Sequence, residues 1–175
     1  GEGGMVTTND PGLAERLRIL RSHGMTRPQD ADPWWYEMAV PGFNYRLPDL
    51  LCAIGIPQVA RLEELLAARE RVAGWYEERL AHFVSTPRAE EGDRHGWQAY
   101  VVTLDRRDEA LSGLREDGIE AQIGTYAVNT LAAYRDRGSF PGADSAFARA
   151  LALPFATTMT EDEVDRVATA LLRFA

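Results

Sequence analysis

The feature that most restricts this chain is the run of positions from Leu51 to Leu80. Leu51, Ile54, Gln58, Leu62, Leu65, Val72, Tyr76 and Leu80 recur at roughly 3.5-residue spacing, and Arg61, Glu63, Glu64, Arg69, Glu70 and Arg71 fall largely off that line. Such a period keeps one face apolar on a helix and would scatter it across both faces of a strand. It predicts one long helix with a solvated charged side. Pro48 suits the first helical position, because its missing N–H needs no partner there, and Asp49 favours the positive helix end. A kink is expected near Pro57, which removes an interior hydrogen bond.

The stretches on either side have a different texture. Met5-Val6-Thr7-Thr8 is β-prone and stops at Asn9-Asp10-Pro11, so one strand is expected there. Asp10-Pro11 then opens a helix with Leu13, Leu17 and Leu20 on one face, closing at His23-Gly24, where glycine can take the left-handed cap. This is a strand–turn–helix unit of α/β type. From Met25 to Val40 the Pro28, Pro33 and Trp34-Trp35-Tyr36 pattern has no period and reads as a loop of functional length.

Beyond the long helix, Phe83 to Gly96 turns to Ser, Pro, Glu, Gly and Asp and marks a boundary. Trp97 to Leu104 alternates as a strand, Asp108 to Asp117 is helical up to Gly118, and Ile119 to Ile123 is a second strand. Short helices are expected over Val128 to Arg135 and Ser145 to Ala150, with a short strand over Leu151 to Pro154. Thr160-Glu161-Asp162-Glu163 is a capping box opening a terminal helix to Leu172. Together these make a small α+β domain.

Charge and composition narrow the function. A net charge of −8 disfavours a non-specific grip on nucleic acid or on an anionic membrane, and so favours a small-molecule or protein partner. No apolar run approaches the ~18 residues of a membrane span, and the single Cys52 can form no internal disulfide. A soluble, cytoplasmic protein is expected. All 19 cationic Lys+Arg positions are arginine, so chemistry that needs a lysine amine cannot be completed by these residues alone.

Two segments are candidates for anion binding. Gly1-Glu2-Gly3-Gly4 lacks the spacing of a nucleotide loop and is as well explained as a turn before a strand. Pro41 to Arg46 is the better one: an amide, Asn44, and an arginine, Arg46, precede a helix N-terminus, and both can donate to a phosphate or carboxylate. The plainer alternative is that Asn44 closes its own turn and Arg46 is a surface charge. His23, His82 and His95 are far apart and have no cysteine companions, so neither a metal site nor a nucleophilic triad is assigned.

Taken in order, Gly1 to Asp10, Leu17-Arg18-Ile19-Leu20-Arg21-Ser22-His23-Gly24 and Gly42-Phe43-Asn44-Tyr45-Arg46-Leu47-Pro48-Asp49-Leu50 closely resemble the DegT/DnrJ/StrS family of sugar aminotransferases. The resemblance continues through Gln58, the Arg69-containing helix, Trp97 to Leu104 and the Leu153-Pro154 to Val164 ending, and so spans essentially the whole chain. It implies an α/β fold of the pyridoxal-phosphate-dependent transferase fold type I, aspartate-aminotransferase-like. Residues 1–46 would end the large domain, 47–81 form a connecting helix, and 82–175 a small C-terminal α+β domain. It also implies that the lysine holding pyridoxal 5'-phosphate lies a few residues upstream of Gly1.

Further expectations follow from the same resemblance. The family works as a homodimer with active sites at the subunit interface, and the asparagine matching Asn44 reaches the cofactor phosphate of the neighbouring subunit, with Arg46 as a second phosphate contact. Tyr45, Thr125, Tyr126 and Asn129 become candidates for substrate contact. Many relatives carry a histidine at about the position of Asn129, where it helps bind the nucleotide-sugar, so Asn129 is a departure. The implied reaction moves an amino group from an amino acid, glutamate or glutamine, onto a nucleotide-linked keto-sugar. A keto-cyclitol aminotransferase, a sugar dehydratase on the same fold and a non-catalytic sugar-binding or regulatory module are the alternatives.

Overall fold

The computed structural model describes residues 2–135 and 138–175. The chain divides into two compact units, Gly1–Arg61 and Leu62–Ala175, each described by itself.

In the first unit, helix α1 spans Pro11–Arg21. Asp10 caps it as the sequence predicts: its carboxylate accepts from the Gly12 and Leu13 amides at 2.8 and 3.1 Å, and Pro11 occupies the first turn. The expected strand at Met5 to Thr8 is absent. Those residues form no secondary structure and are exposed, and no strand among the described residues pairs with them, so β propensity finds no ladder to join. The segment expected as pure loop instead contains a short antiparallel ribbon, β1 at Met25–Thr26 paired with β2 at Glu37–Met38. Trp34, Trp35 and Tyr36 lie between its strands, all exposed.

The single long helix is also corrected. It is two helices, α2 at Asp49–Ala60 and α3 at Leu62–Leu80, and the break falls at Arg61, whose φ of −106° and ψ of 16° leave the helical region. Pro57 stays inside α2; one lost interior bond is absorbed. The break comes where the pattern changes, since α2 is apolar nearly all round while α3 is two-sided. Pro48 is the extended N-cap residue and not the first helical one, its carbonyl accepting from Leu51 and Cys52 at 2.9 and 3.1 Å.

The second unit is built on an antiparallel sheet of order β3-β5-β4, with β3 at Tyr100–Thr103, β4 at Gln122–Ile123 and β5 at Ala150–Leu153. Tyr100 pairs with Leu153 and Ile123 with Leu151. Helix α4 spans Arg107–Glu116, α5 Pro141–Arg149 and α6 Glu161–Leu171. Both expected short helices are redrawn: Val128–Thr130 is one 3₁₀ turn, and α5 starts at Pro141, where proline sets the first helical φ. The capping box at Thr160 and Glu163 forms in both directions.

Val72, Tyr76 and Leu80 of α3, Leu114 of α4 and Val164 and Leu171 of α6 close over Tyr100, Val102 and Leu151 of the sheet, all at 0% exposure. Burial of one such side chain stabilises by ~1.5–3 kcal/mol, so this unit holds itself together. Tyr76 donates to the Pro154 carbonyl at 2.7 Å and stacks on Tyr100. Arg79 joins α3 to Glu161 and Asp165 of α6.

Candidate functional site

The loop Gly42 to Arg46 is shaped by the end of α1. A helix ends with unpaired carbonyls, and here Phe43 N–H donates to Leu20 at 2.7 Å, Tyr45 N–H to Arg21 at 2.8 Å and Gly24 N–H to Ile19 at 2.9 Å. His23 N–H returns a bond to the Phe43 carbonyl at 2.8 Å. The two segments cross so closely that only glycine fits. A Cβ on Gly24 would lie 1.6 Å from the Val40 carbonyl oxygen, and one on Gly42 would lie 2.2 Å from the Gly24 nitrogen.

This crossing brings three side chains together. Arg46 Nε donates to Asn44 Oδ1 at 3.0 Å, and Arg46 Nη2 lies 3.2 Å from His23 Nε2. Arginine has no acceptor, so the bond from Arg46 fixes which end of the Asn44 amide is the oxygen and leaves its NH2 as the outward donor. Asn44 and Arg46 are both exposed, while Phe43 and Tyr45 stack at 4.8 Å and brace the loop from alternate positions. The Asn44 side chain is therefore engaged by Arg46 within its own loop. The sequence assigns His23 no role, its one signal being its place beside Gly24 at a helix end.

Thr125, Tyr126 and Asn129 lie in the second unit. Gly124 N–H donates to the Ala150 carbonyl at 2.9 Å, and a Cβ there would meet Val101 at 2.5 Å, so the segment enters against the sheet. Asn129 Nδ2 donates to Asp144 of α5 at 2.7 Å, and its Oδ1 is buried with no hydrogen-bond partner. Tyr126, 63% exposed, packs against Phe147 of α5, and the buried Arg107 also lies over the Phe147 ring. Thr125 is exposed. Two surface grooves of about 480 and 370 Å³ in this unit are lined by other residues, such as Arg106 and Arg149 in the larger and Asp117 and Arg173 in the smaller. The charged groups there are largely engaged in ion pairs, as Arg149 is with Asp105 and Arg106 with Glu109, so the grooves carry no site. Among the described residues no group of His, Cys, Asp or Glu could hold a metal ion, and no helix is long and apolar enough to cross a membrane.

The comparisons with known proteins decide the family. The sequence profile of the DegT/DnrJ/EryC1/StrS aminotransferase family matches residues 1–172. The chain belongs to this family. It is similar to GDP-perosamine synthase of Caulobacter vibrioides, 37% identical over 98% of this chain and 47% of that protein. It is also similar to the spore coat polysaccharide biosynthesis protein SpsC of Bacillus subtilis, 32% identical over 95% of this chain and 48% of that one. Among solved structures, a DegT DnrJ EryC1 StrS aminotransferase from Brucella abortus superposes with a TM-score of 0.80 at 29% identity, over 95% of this chain and 44% of that one. The fold is that of the fold-type-I pyridoxal-phosphate enzymes. The chain spans about half the length of the curated relatives it matches.

The family's cofactor is pyridoxal 5'-phosphate, and the donor set of the loop suits its phosphate. Asn44 offers an amide NH2 whose direction is fixed, and Arg46 a guanidinium with no bonded carboxylate among the described residues. Asp49, in the first turn of α2, offsets the anion affinity of that helix end, so the loop side chains carry the fit.

Proposed function

We propose that the protein to which this chain belongs is a pyridoxal-phosphate-dependent aminotransferase. It transfers an amino group from an amino acid, glutamate or glutamine, to a nucleotide-linked keto-sugar. Asn44 and Arg46 bind the cofactor phosphate, supplied to the active site of the neighbouring subunit in a homodimer. Tyr45, Thr125, Tyr126 and Asn129 face the sugar substrate. The observation that carries this reading is the Asn44 amide locked by Arg46, which leaves an oriented NH2 and a cationic guanidinium side by side on an exposed loop.

The bound cofactor supplies the electron sink for the amino-group transfer. The chain's own residues bind and orient. Asn44 donates to a phosphate oxygen, Arg46 balances the phosphate charge, and the Gly24–Gly42 crossing keeps the two from drifting. Asn129 Oδ1, a buried acceptor without a partner, is suited to a donor such as a sugar hydroxyl.

The test is made on the full-length enzyme. Asn44→Ala and Arg46→Leu should each weaken retention of the cofactor about tenfold, as expected for the loss of a hydrogen bond to a charged group. The wild type should show a cofactor absorbance band between 300 and 450 nm that borohydride traps, and should aminate a nucleotide-linked keto-sugar. A full-length protein with no such band would instead be the non-catalytic sugar-binding module.

A further inference from the structure

We propose that His23 is a positioning residue for the phosphate-binding loop, fixing Arg46 and through it the direction of the Asn44 amide. The proposal rests on the reading that Asn44 and Arg46 hold the cofactor phosphate. It is carried by the side-chain contacts and by the backbone. Arg46 is held at two points, Nη2 by His23 Nε2 at 3.2 Å and Nε by Asn44 Oδ1 at 3.0 Å. Arginine can only donate, so this contact is a hydrogen bond when Nε2 of the imidazole is the accepting nitrogen. The relay therefore has one direction: His23 receives from Arg46, and Arg46 gives to Asn44.

The backbone supports the same role. His23 has a φ of 62°, in the left-handed region that side chains other than glycine seldom adopt. It is held there by its N–H bond to the Phe43 carbonyl at 2.8 Å, within the loop whose shape is at issue. His23 stands one residue past the Ser22 C-cap of α1, so its left-handed φ is also the one that lets Gly24 N–H reach the Ile19 carbonyl at 2.9 Å and close the helix. The residue that closes the helix thus also places its ring on the guanidinium of the loop that it bonds through its backbone. Removing the imidazole frees Arg46 to rotate and lets the Asn44 amide turn its oxygen toward the phosphate, where it repels.

The experiment uses full-length apo-enzyme and two probes, pyridoxal 5'-phosphate and pyridoxal, the second lacking the phosphate. Binding is followed by absorbance titration, so no activity is read. His23→Asn keeps a side chain tolerated in the left-handed region but is too short to reach Arg46. It should lose about tenfold in affinity for pyridoxal 5'-phosphate and less than about twofold for pyridoxal. His23→Gln, whose longer amide can accept from Arg46, should recover part of the loss, and His23→Asn should add little to Arg46→Leu. Equal weakening toward both probes, or full additivity with Arg46→Leu, overturns the positioning role in favour of a merely structural one. Unchanged binding in His23→Asn while Asn44→Ala and Arg46→Leu weaken it also overturns the inference and leaves the phosphate loop standing. If Asn44→Ala and Arg46→Leu bind the cofactor normally, the phosphate-loop reading itself is wrong and this inference falls with it.

Discussion

The two units of this chain are built from similarly apolar sequence and solve the folding problem differently. Leu62–Ala175 buries a continuous core that draws on three helices and the sheet, whereas Gly24 alone is buried among residues 2–61. The contrast is sharpest in two helices of similar length. Helix α6 puts Val164, Val167, Ala168 and Leu171 inside and its charges outside. Helix α2 has Leu50, Ile54, Ile56 and Val59 all exposed, pointing to every side. An apolar face held by its own unit gives a stable fold, while a helix apolar all round is written for surroundings its own unit does not supply.

The largest expected effect is all-or-none. Expressed separately, residues 62–175 should fold and melt in one cooperative transition by circular dichroism and urea titration, while residues 1–61 should remain unfolded. Cooperative melting of residues 1–61 alone would erase the comparison. Next comes core truncation within the 175-residue chain. Leu151→Ala should cost ~2–5 kcal/mol of unfolding free energy, and Ile56→Ala less than ~0.5 kcal/mol, as for an exposed position. In the full-length protein the cost of Ile56→Ala should rise toward the core value. A cost that stays near zero there would mean that α2 is a surface helix after all.

How much was legible follows the same division. The terminal capping box, the strands at Tyr100–Thr103 and Ala150–Leu153 and helix α4 were readable because period and caps agreed with packing inside one unit. The strand at Met5 to Thr8 was misread because a strand is a property of a pair, and propensity says nothing of whether the partner is at hand. The break at Arg61 was hidden because one heptad-like count ran across two helices with different surroundings. At the site, Asn44 and Arg46 were visible as donors before a helix. Their bond to each other and to His23 was not, since it depends on the Gly24–Gly42 crossing that joins segments distant in sequence.

A smaller effect separates the units by pH. Tyr76 and Tyr100 are held well above the ordinary phenol range, first by burial and then by the nearby charge of Glu163 for Tyr76 and of Glu77 for Tyr100. A raised folded value means that these phenols contribute stability fully below about pH 10, the unfolded value. That stability is lost as pH rises toward their folded values. In a titration followed at 295 nm, two of the chain's six tyrosines should ionise only together with the loss of near-ultraviolet dichroism. Smooth ionisation of all six with the fold intact would show that the second unit is not closed around them.

The smallest effect tests whether the two units melt as one. Each begins a helix with a side-chain cap: Thr160 accepts from Glu163 N–H at 3.3 Å on α6, and Asp10 accepts from Gly12 N–H at 2.8 Å on α1. By local geometry the Asp10 cap is the better bond, so local reasoning alone predicts at least as large a loss for Asp10→Ala as for Thr160→Ala. The division of the chain predicts the reverse. Thr160→Ala should lower the stability of the cooperative transition by ~1 kcal/mol, because α6 is part of the core that melts. Asp10→Ala should leave that transition unchanged, because α1 contributes nothing to it. Equal losses in chemical denaturation would mean that the energy of α1 is coupled to the core, and the two units would then have to be treated as one cooperative body.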